Sequence, residues 1–190
     1  MLDSPHVRIA ISGTHCSGKT TLAEDFAAAH REYIHEPEPY EWLEEHEPLA
    51  AEPTADDFLR QLELSVERWS SYARGANVIA ERSPLDFLAY LLALEDLGRS
   101  GRDCAMNATA VELVADGMAN IDLLVLLPLE GISAPVEEDL ALRDAMNERL
   151  LELIATDPHA LFVNGSPRVV EIQGTPGERL RLLEREAWSV

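Results

Sequence analysis

Lysine is all but missing from this chain. Of its 15 basic residues, 14 are arginine and one, Lys19, is lysine. Positive charge as a whole is scarce, since 35 acidic residues leave a formal net charge of −20. Nucleic acids and anionic membrane surfaces need a basic footprint, so neither is an expected partner. The acidic excess reads as solubility or adaptation to salt. Two cysteines, Cys16 and Cys104, form no CxxC pair and no disulfide framework, which points to a reducing cytoplasm. No apolar run approaches membrane-spanning length, and Met1, Leu2, Asp3, Ser4 and Pro5 open no signal-peptide pattern. His30, His35 and His46 stand at no zinc-ligand spacing and read as solvated or hydrogen-bonded. Repeats, low-complexity tracts and long linkers are also absent, so residues 1–190 are expected to form one domain.

The lone lysine sits in the most informative stretch. Gly13, Thr14, His15, Cys16, Ser17, Gly18, Lys19 and Thr20, with Thr21 following, fit G-x-x-x-x-G-K-[ST] at every fixed position. Residues 7–11 before it read as a strand and residues 20–27 after it as a helix, the context the motif requires. Glycines let the backbone curl until successive N–H groups face one concavity, and the helix N-terminus adds its own donors and dipole. Lys19 is then placed for the β- and γ-phosphates of ATP, and the Thr20 hydroxyl for Mg²⁺. A chain that uses arginine elsewhere keeps a compact ammonium where phosphate geometry favours a point charge. No N-K-x-D guanine signature is present, so adenine is the expected base.

Hydrophobic patterning predicts further strands at 32–35, 77–80, 121–127 and 168–173. Helices are predicted from Thr54 or Asp56 to 74, then at 85–97, 103–118, 136–155 and 176–188. Pro37 and Pro39 are expected to stop regular structure, and residues 40–53 to form a surface segment with a turn or two of helix around Trp42. The alternation predicts an α/β fold of three layers, α/β/α, with a five-stranded parallel sheet. Ligands of such sheets lie at the carboxyl ends of the strands, where Gly13, Glu36, Glu81, Leu127 and Gly174 fall. Glu81 at one strand end suits Mg²⁺, bridging to Thr20. Arg82 beside it suits phosphate, and Glu36 or Glu38 could accept a proton from a substrate hydroxyl.

The phosphate loop, the Glu36-Pro37-Glu38-Pro39-Tyr40-Glu41-Trp42 segment and Glu81-Arg82-Ser83 together resemble the deoxynucleoside kinases and their relatives in the P-loop nucleoside/nucleotide kinase superfamily. The resemblance implies that Glu36 or Glu38 is the general base, Glu81 the metal-linked acid and Arg82 the phosphate arginine. It also places Phe58 and Gln61 where the family has an aromatic and a glutamine against the acceptor base. The later half is similar to small AAA-like ATPases and ribosylnicotinamide kinase domains, through residues 121–127, Asp139 with Arg143, and Ile172, Gly174 and Arg179. That likeness implies that Gly174, Thr175 and Pro176 lie against adenine. The expected activity is transfer of the γ-phosphoryl of ATP to a nucleoside-like hydroxyl, with an acceptor-free ATPase or nucleotide switch as the alternative. Monomer and homodimer are both left open. Two features depart from the kinase pattern. Spacing to Trp42 does not choose between Glu36 and Glu38. The lid-like segment, about 129–149, has no arginine before Arg143 and Arg149, and carries Glu130, Glu137, Glu138 and Asp139 instead.

Overall fold

Short apolar runs can lie in the middle of a sheet only if both its faces are covered. Three do so here: β1 (Arg8–Ser12), β3 (Val78–Glu81) and β4 (Leu123–Leu126) are buried at every residue. The computed structural model describes residues 6–46, 53–100, 105–129 and 139–189. Strands β2 (Ile34–Glu36) and β5 (Arg168–Glu171) form the half-exposed edges. All neighbours pair in parallel, in the order β2-β3-β1-β4-β5.

The strands' period of two divides the interior. Ala10, Val78, Ala80, Leu124 and Leu126 face one core, and Ile9, Ile11, Ile79, Leu123 and Val125 the other. On the first side lie α3 (Ala55–Ser71), α4 (Pro84–Asp96), α5 (Ala105–Met118) and α6 (Leu140–Thr156). On the second, α1 (Lys19–Ala29) packs with α7 (Pro176–Ala187) through Leu22, Phe26, Leu183 and Ala187. The result is the expected three-layer α/β/α fold. Helix α4 is buried on almost every side, from Leu85 to Leu94, because α3, α5 and α6 all pack around it.

The structure corrects several boundaries. Pro39 does not stop structure but begins α2 (Pro39–His46), as the first helical position tolerates a missing N–H. Strand β2 starts at Ile34, because Tyr33 bends back to donate its N–H to the His30 carbonyl and packs its ring edge-on to Phe26. Helix α3 ends at Ser71, before Gly75. The expected loop at 128–135 and the start of the 136–155 helix fall largely on residues 130–138, outside the described residues, as do Pro48 and Cys104.

Thr54 caps α3 with a reciprocal box. Its hydroxyl accepts from the Asp57 N–H at 3.3 Å, and the Asp57 carboxylate accepts from the Thr54 N–H at 2.9 Å. Thr54→Ala should therefore lower stability by about 1 kcal/mol in a denaturant titration and leave nucleotide affinity unchanged.

Candidate functional site

Between the end of β1 and the start of α1 the backbone turns through left-handed conformations, with φ of +149° at Gly13, +59° at Cys16 and +90° at Gly18. A β-carbon at Gly13 would come within 2.7 Å of the Leu127 carbonyl oxygen and 2.9 Å of Ser17 Oγ. One at Gly18 would meet Arg179 Nη1 at 2.9 Å. Gly13 is required by space as well as by φ, because its neighbour is backbone; Gly18 is required by φ, since the arginine tip beside it could move aside. Lys19, at 3% exposure, donates from Nζ to the Thr14 carbonyl at 3.0 Å. Among the described residues, the Thr14 and Ser17 hydroxyls have no hydrogen-bond partner, though both are buried. Buried hydroxyls are rarely left so. His15 is exposed, Cys16 is a half-buried free thiol, and Thr21 faces solvent in the first turn of α1.

The end of β3 forms the opposite wall. Glu81 is 1% exposed; its Oε2 accepts from Thr20 Oγ1 at 2.5 Å, and its Oε1 lies 2.9 Å from His35 Nε2. That bond to Glu81 raises the His35 pKa above its ordinary value, against the opposing effect of burial. Arg82 adopts a left-handed φ of +66°, a strained conformation for a residue with a β-carbon. Its guanidinium is thereby turned back to the phosphate loop, where Nη1 donates to the Gly13 carbonyl at 3.2 Å.

The two candidate bases are separated by their surroundings. Glu38 bridges the cations, with Oε1 3.1 Å from Lys19 Nζ and Oε2 accepting from Arg82 Nε at 2.9 Å. Burial alone would raise its pKa, but Arg82 and then Lys19 hold it down at about 2. Lys19 is in turn below its ordinary pKa, from burial first and from Arg82 second. Glu36 points instead to α3, where it accepts from Arg68 Nη1 at 2.7 Å and from the Tyr72 hydroxyl. There it lines a cleft with Pro37, Ser65, Trp69 and Glu81.

Other expected residues divide the same way. Arg179 donates from Nη1 to the Ser17 carbonyl at 2.7 Å, so the loop of Gly174, Thr175 and Pro176 stands beside the phosphate loop. Phe58 is buried and stacks on Tyr90 at 4.4 Å, and buried Gln61 bonds back to the Asp57 carbonyl of its own helix. Arg143 is buried in the second turn of α6, at 5% exposure. Arg149 pairs with Asp96 and Glu152 on the surface between α4 and α6. Glu130, Glu137 and Glu138 lie outside the described residues.

The sequence reading missed Asp86. Fully buried, it accepts from the Gly13 N–H at 3.0 Å, Ser12 Oγ at 2.5 Å and the Ser83 N–H at 2.9 Å. Its only signal is the S-x-x-D spacing from Ser83, which reads as an ordinary helix cap. No group of three or more His, Cys, Asp or Glu among the described residues makes a complete metal site. The Thr20–Glu81 pair nevertheless fits Mg²⁺, which takes one or two protein ligands and completes its shell with phosphate and water.

Residues 8–166 match the AAA domain family. No curated protein matches the chain in sequence. In structure it is similar to a thymidylate kinase from Candida albicans, with 18% identity and a TM-score of 0.64 over 96% of this chain and 91% of that one. It is similar to a deoxyadenosine kinase from M. mycoides with bound dATP, at 15% identity and a TM-score of 0.65 over 95% and 98% of the two chains. It also resembles the NadR protein in complex with NAD and AMP-PNP, at 19% identity and a TM-score of 0.68, covering 97% of this chain and 50% of that one. Identities this low speak for the fold. With most of its length matched, the chain belongs to the AAA domain family and has the fold of the P-loop nucleoside and nucleotide kinases.

Proposed function

We propose that the protein is an ATP-dependent kinase that phosphorylates a hydroxyl of a nucleoside-like small molecule. One observation carries the reading: the Glu38 carboxylate stands within ion-pair distance of both Lys19 and Arg82, at the loop of residues 13–20. Lys19, Arg82 and the N–H groups of the loop hold the polyphosphate, while Arg179 and the Gly174 loop flank the nucleotide. Thr20 and Glu81 would hold Mg²⁺, which neutralises charge on the β- and γ-phosphates, and His35 orients Glu81. Glu38 accepts the proton of the acceptor hydroxyl as the new O–P bond forms and the bond to the ADP oxygen breaks. Glu36, already bound to Arg68 and Tyr72, forms part of the acceptor wall. With that arginine neutralised, the cleft suits an uncharged, hydroxyl-bearing acceptor over a monophosphate. Phe58 and Gln61 flank this region from α3, and Arg143 serves transfer from the lid-like segment of a single domain.

The absence of arginine from residues 129–139 favours a second reading, an ATPase or nucleotide switch with no small acceptor. Transfer to a nucleotide, sugar or drug hydroxyl is the variant between the two. ADP release measured across nucleosides, ribosides, nucleotides and sugars separates them. One nucleoside or riboside should raise turnover at least roughly tenfold above the protein-alone rate, as expected when a positioned acceptor replaces water. A flat response across the whole set would retire the kinase reading and leave the switch.

A further inference from the structure

The left-handed Arg82 has to be held by something, because neither its backbone nor its burial is favourable on its own. Two side chains one helical turn apart on α4 do so. Asp86 Oδ1 lies 3.8 Å from Arg82 Nη1, and the Tyr90 ring lies under the guanidinium, 5.2 Å from ring centroid to Cζ. Spacing of i and i+4 puts both on the same helix face. The other Asp86 bonds go to Ser12, Gly13 and Ser83, so one carboxylate ties the entrance of the phosphate loop to the strand end that carries Arg82. Tyr90 is backed by Phe58, stacked nearly parallel at 6°. Glu38 and the Gly13 carbonyl accept the remaining bonds, from Nε and Nη1.

We propose that Asp86 and Tyr90 are positioning residues that act through Arg82, aiming its guanidinium at the transferring phosphoryl group. The proposal rests on the phosphate role of Arg82 stated above. A cap for α4 would need only Asp86 and Ser83. It would not need the bond to Gly13, nor an aromatic face one turn further on. Aiming matters because phosphoryl transfer depends on placing charge where it develops, and displacement of about 1 Å can cost two decades of rate.

A double-mutant cycle tests it. Single-turnover ADP formation from Mg·ATP, with water as acceptor, is measured for Arg82→Ala, Asp86→Asn, Tyr90→Leu and the two double variants with Arg82→Ala. Melting temperatures control for folding. Asp86→Asn and Tyr90→Leu should each slow turnover roughly tenfold with ATP affinity within about twofold, and each should cost nothing more once Arg82 is gone. Multiplicative losses in the double variants would overturn the proposal and make both residues merely structural. Should Asp86→Asn fail to fold, Tyr90→Leu alone completes one cycle. An unaltered rate in Arg82→Ala would instead remove the phosphate role of Arg82 itself, an outcome distinct from loss of coupling.

Discussion

Glu38→Gln is expected to bind ATP about tenfold more tightly than the natural chain and to transfer phosphate to its acceptor at least about a hundredfold more slowly. The two effects have one origin. In the structure Glu38 occupies the two cations that a phosphate would otherwise take, with one oxygen on Lys19 and the other on Arg82. Polyphosphate binding must draw both cations away from it. Glutamine keeps the shape, gives up the negative charge and so competes less, but it cannot accept a proton. Isothermal calorimetry reads the first effect and ADP release with acceptor the second. If affinity and turnover fell together, Glu38 would be a phosphate-site support and the base would have to be sought elsewhere.

The same exchange sets a pH dependence. Arg82 and Lys19 hold Glu38 at about 2 in the free protein, below its ordinary value of 4.5. A depressed carboxylate stabilises the fold above its unfolded pKa, and that contribution fades as pH falls from 4.5 towards 2. Once phosphate claims the cations, Glu38 moves up towards the range where a base is effective. The acid limb of kcat, governed by the complex, should therefore lie above 2.

Lys19→Ala should weaken ATP binding roughly a hundredfold, the scale of a charge-assisted hydrogen bond lost from a buried site, and slow turnover by about three decades. The fold should survive. Glu38 keeps Arg82 as a partner, so no buried charge is left alone, and stability should fall by only about 1–2 kcal/mol. Nucleotide titration and thermal unfolding of the same sample separate the two effects. Unchanged ATP affinity would contradict the assignment of residues 13–20 as the phosphate loop.

The fold was largely readable because its signals are local. A short apolar run such as 123–126, bounded by turn residues, suits a strand covered on both faces, and the phosphate loop carries its own strand, turn and helix. Thr20 with Glu81 could also be anticipated, since one closes the phosphate-loop motif and the other ends a strand. Choosing between Glu36 and Glu38 could not be done from sequence. They stand two apart in a Glu-Pro repeat, and what tells them apart is Arg68 and Tyr72, which bond to Glu36 from over thirty positions away. Asp86 was hidden for another reason. Its role as a cap is genuine and masks the bond to Gly13, which exists only after β1 and β3 pair. Pro39 shows a breaker acting as a helix start, and Arg149 pairs with Asp96, a tie between α4 and α6 that spacing alone does not reveal.

The solitary ammonium has a chemical consequence beyond nucleotide binding. Apart from the histidines, every other basic side chain is a guanidinium, and the one primary amine among the side chains is sealed at 3% exposure beneath the first glycine-rich turn. Reagents that acylate amines therefore meet no side-chain amine on the outside of the folded molecule. Their attachment to Lys19 would mark an opened loop, one adduct per molecule, set against the α-amine as an internal standard.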